Sequence, residues 1–126
     1  MRELLIVGVG GACGAMARHV AFGMIHRRFP AFLPAGTMAV NVLGCLLIGF
    51  LMGFAVDRRG MNPELRLFLA TGLLGAFTTF STFGYETVEL LREREVRLAL
   101  FNIAGNLLLG LPAVWCGRLL SRAFTG

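Results

Sequence analysis

The sequence predicts an all-α membrane protein of four transmembrane helices in a single domain, residues 1–126. Three observations carry this. Apolar residues make up 56% of the 126, more hydrophobic surface than a soluble domain of that size can hide. They fall into four long runs, each reaching the roughly 20 residues a helix needs to cross about 30 Å of hydrocarbon. The polar gaps between them are short: HRRFPAFLP, DRRGMNPE and REREVR. The helices are expected as two hairpins in series.

The first run, 4–25, contains LLIVGVGGACGA. Its glycines suggest a dinucleotide fingerprint. However, G-x-G-x-x-G begun at Gly8 needs glycine where Cys13 stands, and Arg27 and Arg28 occupy the place of the acidic ribose partner. Gly10-x-x-x-Gly14 reads instead as a small-residue face that lets helices approach closely in lipid. The run is not expected to be a cleavable signal. Its apolar core is too long, no A-x-A-like site follows, and Arg18 and His19 interrupt it. Arg18 is either a functional residue at membrane depth or a long side chain that snorkels to an interface. The second run, 35–56, carries a second small-residue face, Gly49-x-x-x-Gly53, and a buried-depth polar residue, Asn41.

The third run, 65–91, holds the stretch GAFTTFSTFGYE at 75–86. Phe77, Phe80 and Phe83 fall three apart, with Thr78, Thr79, Ser81 and Thr82 between them and Glu86 just after. Two readings stand. A continuous helix is possible because Thr and Ser can bond back to helical carbonyls. The other is a helix broken near Gly75–Thr79. Gly72 and Gly75 weaken its first half, and Thr78 or Thr79 can cap a second half starting near Ser81. Lipid cannot satisfy the backbone groups a break exposes, so a break must face protein, water or an ion. Transporters place such breaks at ion sites. In the fourth run, 98–120, Asn102 and Asn106 stand one turn apart and share a face. Helix–helix hydrogen bonding is the plain role of each asparagine. Glu86 joins Arg18 as an ionisable group at depth.

Composition excludes several function classes. The net charge of +5 comes from arginine alone, which suits interfacial anchoring. Nucleic acid binding needs a basic face on a soluble surface, and no such surface is expected. Cys13, Cys45 and Cys116 lie inside apolar runs at no metal-binding spacing, and read as small packing residues. No nucleophile–base pair suggests an enzyme.

The arginines do not set an orientation. With four spans, Arg2, Arg58, Arg59, Arg118 and Arg122 share one side, with Arg66 if it counts as flanking. Arg27, Arg28, Arg92, Arg94 and Arg97 share the other. This balance lacks the bias that orients a membrane protein. Insertion both ways up is one reading; a weak bias that counting misses is the other. Four thin helices barely enclose a pathway, so a homodimer is expected on size alone. Two inverted copies would pair about a two-fold axis in the membrane plane, like the inverted repeats of transporters. Phe80 and Phe83 add a chemical hint. Their ring edges carry the positive end of the quadrupole, and hydroxyl and amide donors flank them. Such a lining suits a small anion.

GGACGAMAR in the first run, GTMAVNVLGCLLIG in the second and GLLGAFTTFSTFGYET in the third resemble the Fluc family of small fluoride channels over essentially the full length. The third stretch is the most specific. The resemblance implies a dual-topology, antiparallel homodimer in the cell inner (plasma) membrane, passively exporting fluoride and lowering its toxicity. It implies a structural, untransported sodium ion (Na+) held by the backbone carbonyls of Gly75 and Thr78. It implies a fluoride pathway along Phe80 and Phe83, with Asn41, Thr79, Ser81, Thr82, Glu86 and Asn106 as its polar track. Arg18 matches the family's first-helix arginine. His19 stands where the family often has an aromatic, and Asn102 where some members place a pore tyrosine. The alternative function is a dual-topology, four-helix exporter of the small multidrug type. Such exporters rely on a buried acid in the first helix; here Glu3 is terminal and the helix core has none.

Overall fold

The computed structural model describes residues 1–57 and 60–125; its regular structure is all helical, with no strand among the described residues. Arg58 and Arg59, part of the charge tally, lie outside the described residues. Helix α1 spans Arg2–Arg28 and α2 spans Ala35–Asp57. The third span is two helices, α3 (63–77) and α4 (Phe80–Arg92), and α5 spans Val96–Thr125. The four spans are long and apolar enough to cross a membrane.

Local chemistry sets the ends. Pro63 opens α3 at a position where its missing N–H costs nothing, and the Asn62 side chain accepts the Glu64 N–H at 2.8 Å. Helix α4 ends in a Schellman motif. The Glu95 N–H reaches the Leu90 carbonyl (2.8 Å) and the Arg94 N–H reaches that of Leu91 (3.1 Å), with Arg94 in the left-handed region at φ 62°. The REREVR gap is therefore a tight turn.

The tightest partners are not hairpin neighbours. α1 packs along α3, and α2 along α5, so spans running in the same direction pair. The glycine faces explain this difference from the expected hairpins. A Cβ on Gly10 would lie 2.6 Å from the Phe68 carbonyl oxygen and 3.1 Å from the Gly72 Cα, and one on Gly14 would overlap the Leu73 carbonyl. Across the other pair, Gly49 sits against Val114 and Gly117 against the Leu46 carbonyl. Only residues without a side chain permit backbones this close.

Residues Leu67–Leu74 of α3 are wound as a π-helix, with the Gly75 N–H bonded to the Ala70 carbonyl five residues back. This wide segment is the one that α1 presses against at Gly10 and Gly14. π-Helical turns of this kind recur at functional sites.

The molecule is built inside out. Among the described residues, the buried apolar side chains are Val40, Leu74, Phe77 and Ala99. The buried polar ones are Thr37, Thr79, Glu86, Thr87, Asn102 and Ser121. Large apolar side chains such as Leu4, Met16, Leu108 and Trp115 point outward. Lipid gains nothing from expelling leucine, so polar contacts and close backbone packing hold the interior.

Candidate functional site

The third span is interrupted at Thr78 and Thr79, whose backbones are extended (φ −87°, ψ 159° and φ −151°, ψ 115°). The broken-helix reading is the one the structure adopts, and Thr79 is the cap. Its Oγ1 accepts the Thr82 N–H at 3.2 Å, starting α4 at Phe80. Thr78 closes α3, both its N–H and its hydroxyl donating to the Leu74 carbonyl at 3.2 Å.

Asn41 of α2 holds the interruption in place. Its Oδ1 accepts the Thr79 N–H at 2.8 Å and its Nδ2 donates to the Thr79 carbonyl at 3.1 Å. The second Nδ2 hydrogen goes to Asn106 Oδ1 at 2.9 Å. All of its amide's donors are thus committed within the protein. Gly44, one turn on, lets α2 come this close, since a Cβ there would overlap the Thr78 methyl group.

The network continues through α5. Asn106 Nδ2 donates to the Asn102 carbonyl (2.9 Å) and to its Oδ1 (3.0 Å). Asn102 Nδ2 donates to Thr87 Oγ1 at 3.0 Å, and Thr87 donates to the Phe83 carbonyl at 2.7 Å. Asn102 is completely buried and ties α5 to α4.

An α-helix would aim the Thr79 N–H at the Gly75 carbonyl and the Thr82 N–H at the Thr78 carbonyl. Both are diverted, the first to Asn41 and the second to Thr79 Oγ1. The carbonyls of Gly75 and Thr78 thereby lose their helical donors, at membrane depth and beside a groove.

That groove, about 410 Å³, is lined by Asn41, Gly75, Thr78, Thr79, Phe80, Phe83 and Asn106, among others. Phe80 is 82% exposed; its ring centroid lies 5.5 Å from that of Phe83, with the planes at 52°. Ser81 and Thr82 are not among the residues that line it; they form a hydroxyl ladder with Thr79 at the start of α4. Thr79 Oγ1 donates to Thr82 Oγ1 at 3.0 Å and lies 3.4 Å from the exposed Ser81 hydroxyl.

Glu86 lies elsewhere. It is buried, with Oε1 accepting from Thr37 Oγ1 at 2.8 Å and Oε2 without a hydrogen-bond partner. It faces a second cavity of about 460 Å³, with Tyr85, Glu89, Glu93 and Glu95. Arg18 sits half-buried on α1, one turn past Gly14, away from the groove lining. Sequence reasoning missed Thr37 and Thr87. Thr37 stands one turn before Asn41 on α2, so spacing from that polar residue would have found it, and Thr87 stands one turn after Phe83, on the face the phenylalanine marks.

Residues 5–118 match the family model described as CrcB-like protein, Camphor Resistance (CrcB). The chain belongs to the CrcB-like family. It is 42% identical over 117 residues to a fluoride-specific ion channel FluC of Nitratidesulfovibrio vulgaris, covering 93% of this chain and 94% of that one. It is 44% identical over 124 residues to the FluC of Rhizobium meliloti, covering 98% of each chain. The four spans make this CrcB-like chain a multi-pass membrane protein.

The Asn41 contacts generate a test. Interhelical hydrogen bonds in membranes are worth about 0.6 kcal/mol each, and Asn41 makes three that leave the helix. Asn41→Leu is expected to destabilise the protein by about 2 kcal/mol, read as its unfolding midpoint in detergent. An unchanged midpoint would mean the interruption is held by other contacts.

Proposed function

We propose that this chain is a fluoride-specific ion channel that lets fluoride leave the cell passively across the inner membrane. One observation carries the reading: an apolar span is interrupted where phenylalanine edges, hydroxyls and a groove meet, in a chain related end to end to proteins named fluoride-specific channels. Fluoride surrenders a tightly held hydration shell only to donors that replace it. Hydroxyls of Ser81 and Thr82 and the ring edges of Phe80 and Phe83 are such donors. Asn41 and Asn106 hold the wall behind them, and Thr79 organises the ladder. Among the described residues the groove lining contains no carboxylate and no fixed cation, which speaks for an anion and against the exporter alternative.

The working unit in this reading is an inverted homodimer. The groove is open on one side, and Phe80 projects from it almost bare, as a surface awaiting a second copy. The balanced arginines permit the inverted insertion this needs. A sodium ion fits the same unit. Gly75 and Thr78 each offer a carbonyl without its helical donor, and an inverted second chain would offer two more. Neutral carbonyl oxygens are the ligands that replace water around a small hard cation. Its role would be to tie the two interruptions together. Glu86, in its separate cavity, stands at the end of the path rather than in its narrow part.

The pure protein in liposomes is expected to release fluoride quickly and retain chloride, read with ion-selective electrodes. Phe80→Ile and Phe83→Ile are each expected to cut fluoride flux about tenfold, equivalent to about 1.4 kcal/mol of barrier, while the dimer stays folded. Normal flux in the double variant would remove the phenylalanines from the path. Exchanging sodium for N-methylglucamine throughout purification should abolish flux; flux that survives rigorous removal refutes the ion. A single cysteine introduced at the N-terminus of a cysteine-free variant should be labelled from both faces of intact cells. Labelling from one face only would end dual insertion.

A further inference from the structure

We propose that the groove between α1, α2 and α5 seats an acyl chain of an anionic phospholipid whose phosphate is held by Arg27 and Arg28. This groove, about 610 Å³, is lined almost wholly by carbon, from Ile25, Phe29 and Phe32 at its rim to Leu46 and Ala113 at its foot. It lies on the far side of α2 from the groove at the helix interruption: Met38, Ala39 and Val42 line one, and Asn41, Gly44 and Cys45 the other.

Its length fits one chain of one leaflet. From Ala35 to Leu46 the groove follows α2 for about 16 Å at 1.5 Å per residue. This is half of the roughly 30 Å hydrocarbon thickness. The rim lies at the α1–α2 turn, where the polar headgroups begin.

The charge at the rim names the occupant. His26, Arg27 and Arg28 form the last turn of α1, all exposed. The Arg28 guanidinium stacks on the ring of Phe29, 5.5 Å from its centroid, and Phe29 itself lines the groove. The cation is thereby parked at the mouth of the apolar channel. Neither Arg27 nor Arg28 pairs with a carboxylate among the described residues, whereas Arg92 on the same end is taken by Glu89 at 2.7 Å. The acidic groups of this end, Glu86, Glu89, Glu93 and Glu95, lie on the other side of the turn, in the cavity that shares Phe32 as its wall. An anionic headgroup is therefore drawn to one side of the turn and repelled from the other.

The test uses the full-length protein in phosphatidylcholine vesicles carrying spin-labelled phosphatidylglycerol or spin-labelled phosphatidylcholine. The fraction of each label immobilised by protein is read by electron spin resonance. Phosphatidylglycerol should be preferred by roughly fivefold for each arginine that meets the headgroup. Arg27→Gln with Arg28→Gln should bring the ratio close to one. Arg66→Gln with Arg118→Gln, which removes as much charge elsewhere, should leave it intact. Ala39→Trp, which fills the groove, should lower the number of immobilised phosphatidylglycerol molecules with the arginines in place. Equal immobilisation of both lipids by the unaltered protein overturns the proposal. So does an equal loss in the two arginine pairs, which would mean diffuse charge. An Ala39→Trp variant that changes oligomeric state and leaves the lipid ratio alone would assign the groove to a second copy, and overturns it too.

Discussion

A peptide unit at membrane depth must find its partners inside the protein, and the structure is arranged around one such unit. Thr79 lies between two helices, so its N–H has no helical acceptor, and its carbonyl, at the N-cap of α4, has a second lone pair to satisfy. A primary amide is the smallest side chain that offers an acceptor and a donor side by side, and Asn41 supplies both. Other features follow from that pairing. Helix α2 must approach the interruption, which requires glycine at position 44. The remaining Asn41 hydrogen fixes Asn106, and Asn106 fixes Asn102 in turn. The register of α5 against α2 and α4 is thus tied to a single extended residue.

The rest of the packing serves a molecule whose interior is more polar than its surface. Burial of leucine against leucine is neutral when the alternative is lipid. What distinguishes correct from incorrect assembly is then shape and polarity. Glycine faces at Gly10, Gly14, Gly49 and Gly117 accept only a close backbone. The buried hydroxyls and amides accept only their own partners, because an unpaired one in hydrocarbon is costly. Glu86 Oε2 is the exception among the described residues. It belongs to a cavity, where a group outside the protein can complete it.

Much of this was legible in the sequence. Of the four runs 4–25, 35–56, 65–91 and 98–120, the first and last extend by a few residues into interfacial arginines, the second ends one residue later at Asp57, and the third is split in two but reaches Arg92. The interruption was legible because glycines and hydroxyls converge on 75–82, and Thr79 was one of two caps considered. The glycine faces were legible as faces but not as pairings. A small-residue motif states that something comes close and not what comes. The π-helical stretch Leu67–Leu74 left no signal, since its one weak point, Thr71-Gly72, marks a poor helix former without telling which way the turns are wound. The division between Asn41 and Glu86 was equally hidden. Both are polar residues at depth, and only the fold shows that one closes the protein's own backbone while the other faces a separate cavity.

The choice of donors at the groove bears on rate as much as on affinity. A guanidinium 4 Å from a fluoride ion, at an effective dielectric constant near 20, would bind it by about 4 kcal/mol. That is close to a thousandfold slower release. Among the described residues, no arginine lines the groove. Thr79 spends its own hydrogen on Thr82 and its lone pair on capping α4. The hydroxyl hydrogen of Thr82 is thereby left free to turn, and the exposed Ser81 stands beside it. Donors of this kind match lost water one bond at a time and can each rotate away. In the proposed path, rotating hydroxyls and ring edges beside a fully committed asparagine would combine a rigid base with contacts weak enough to let an ion go.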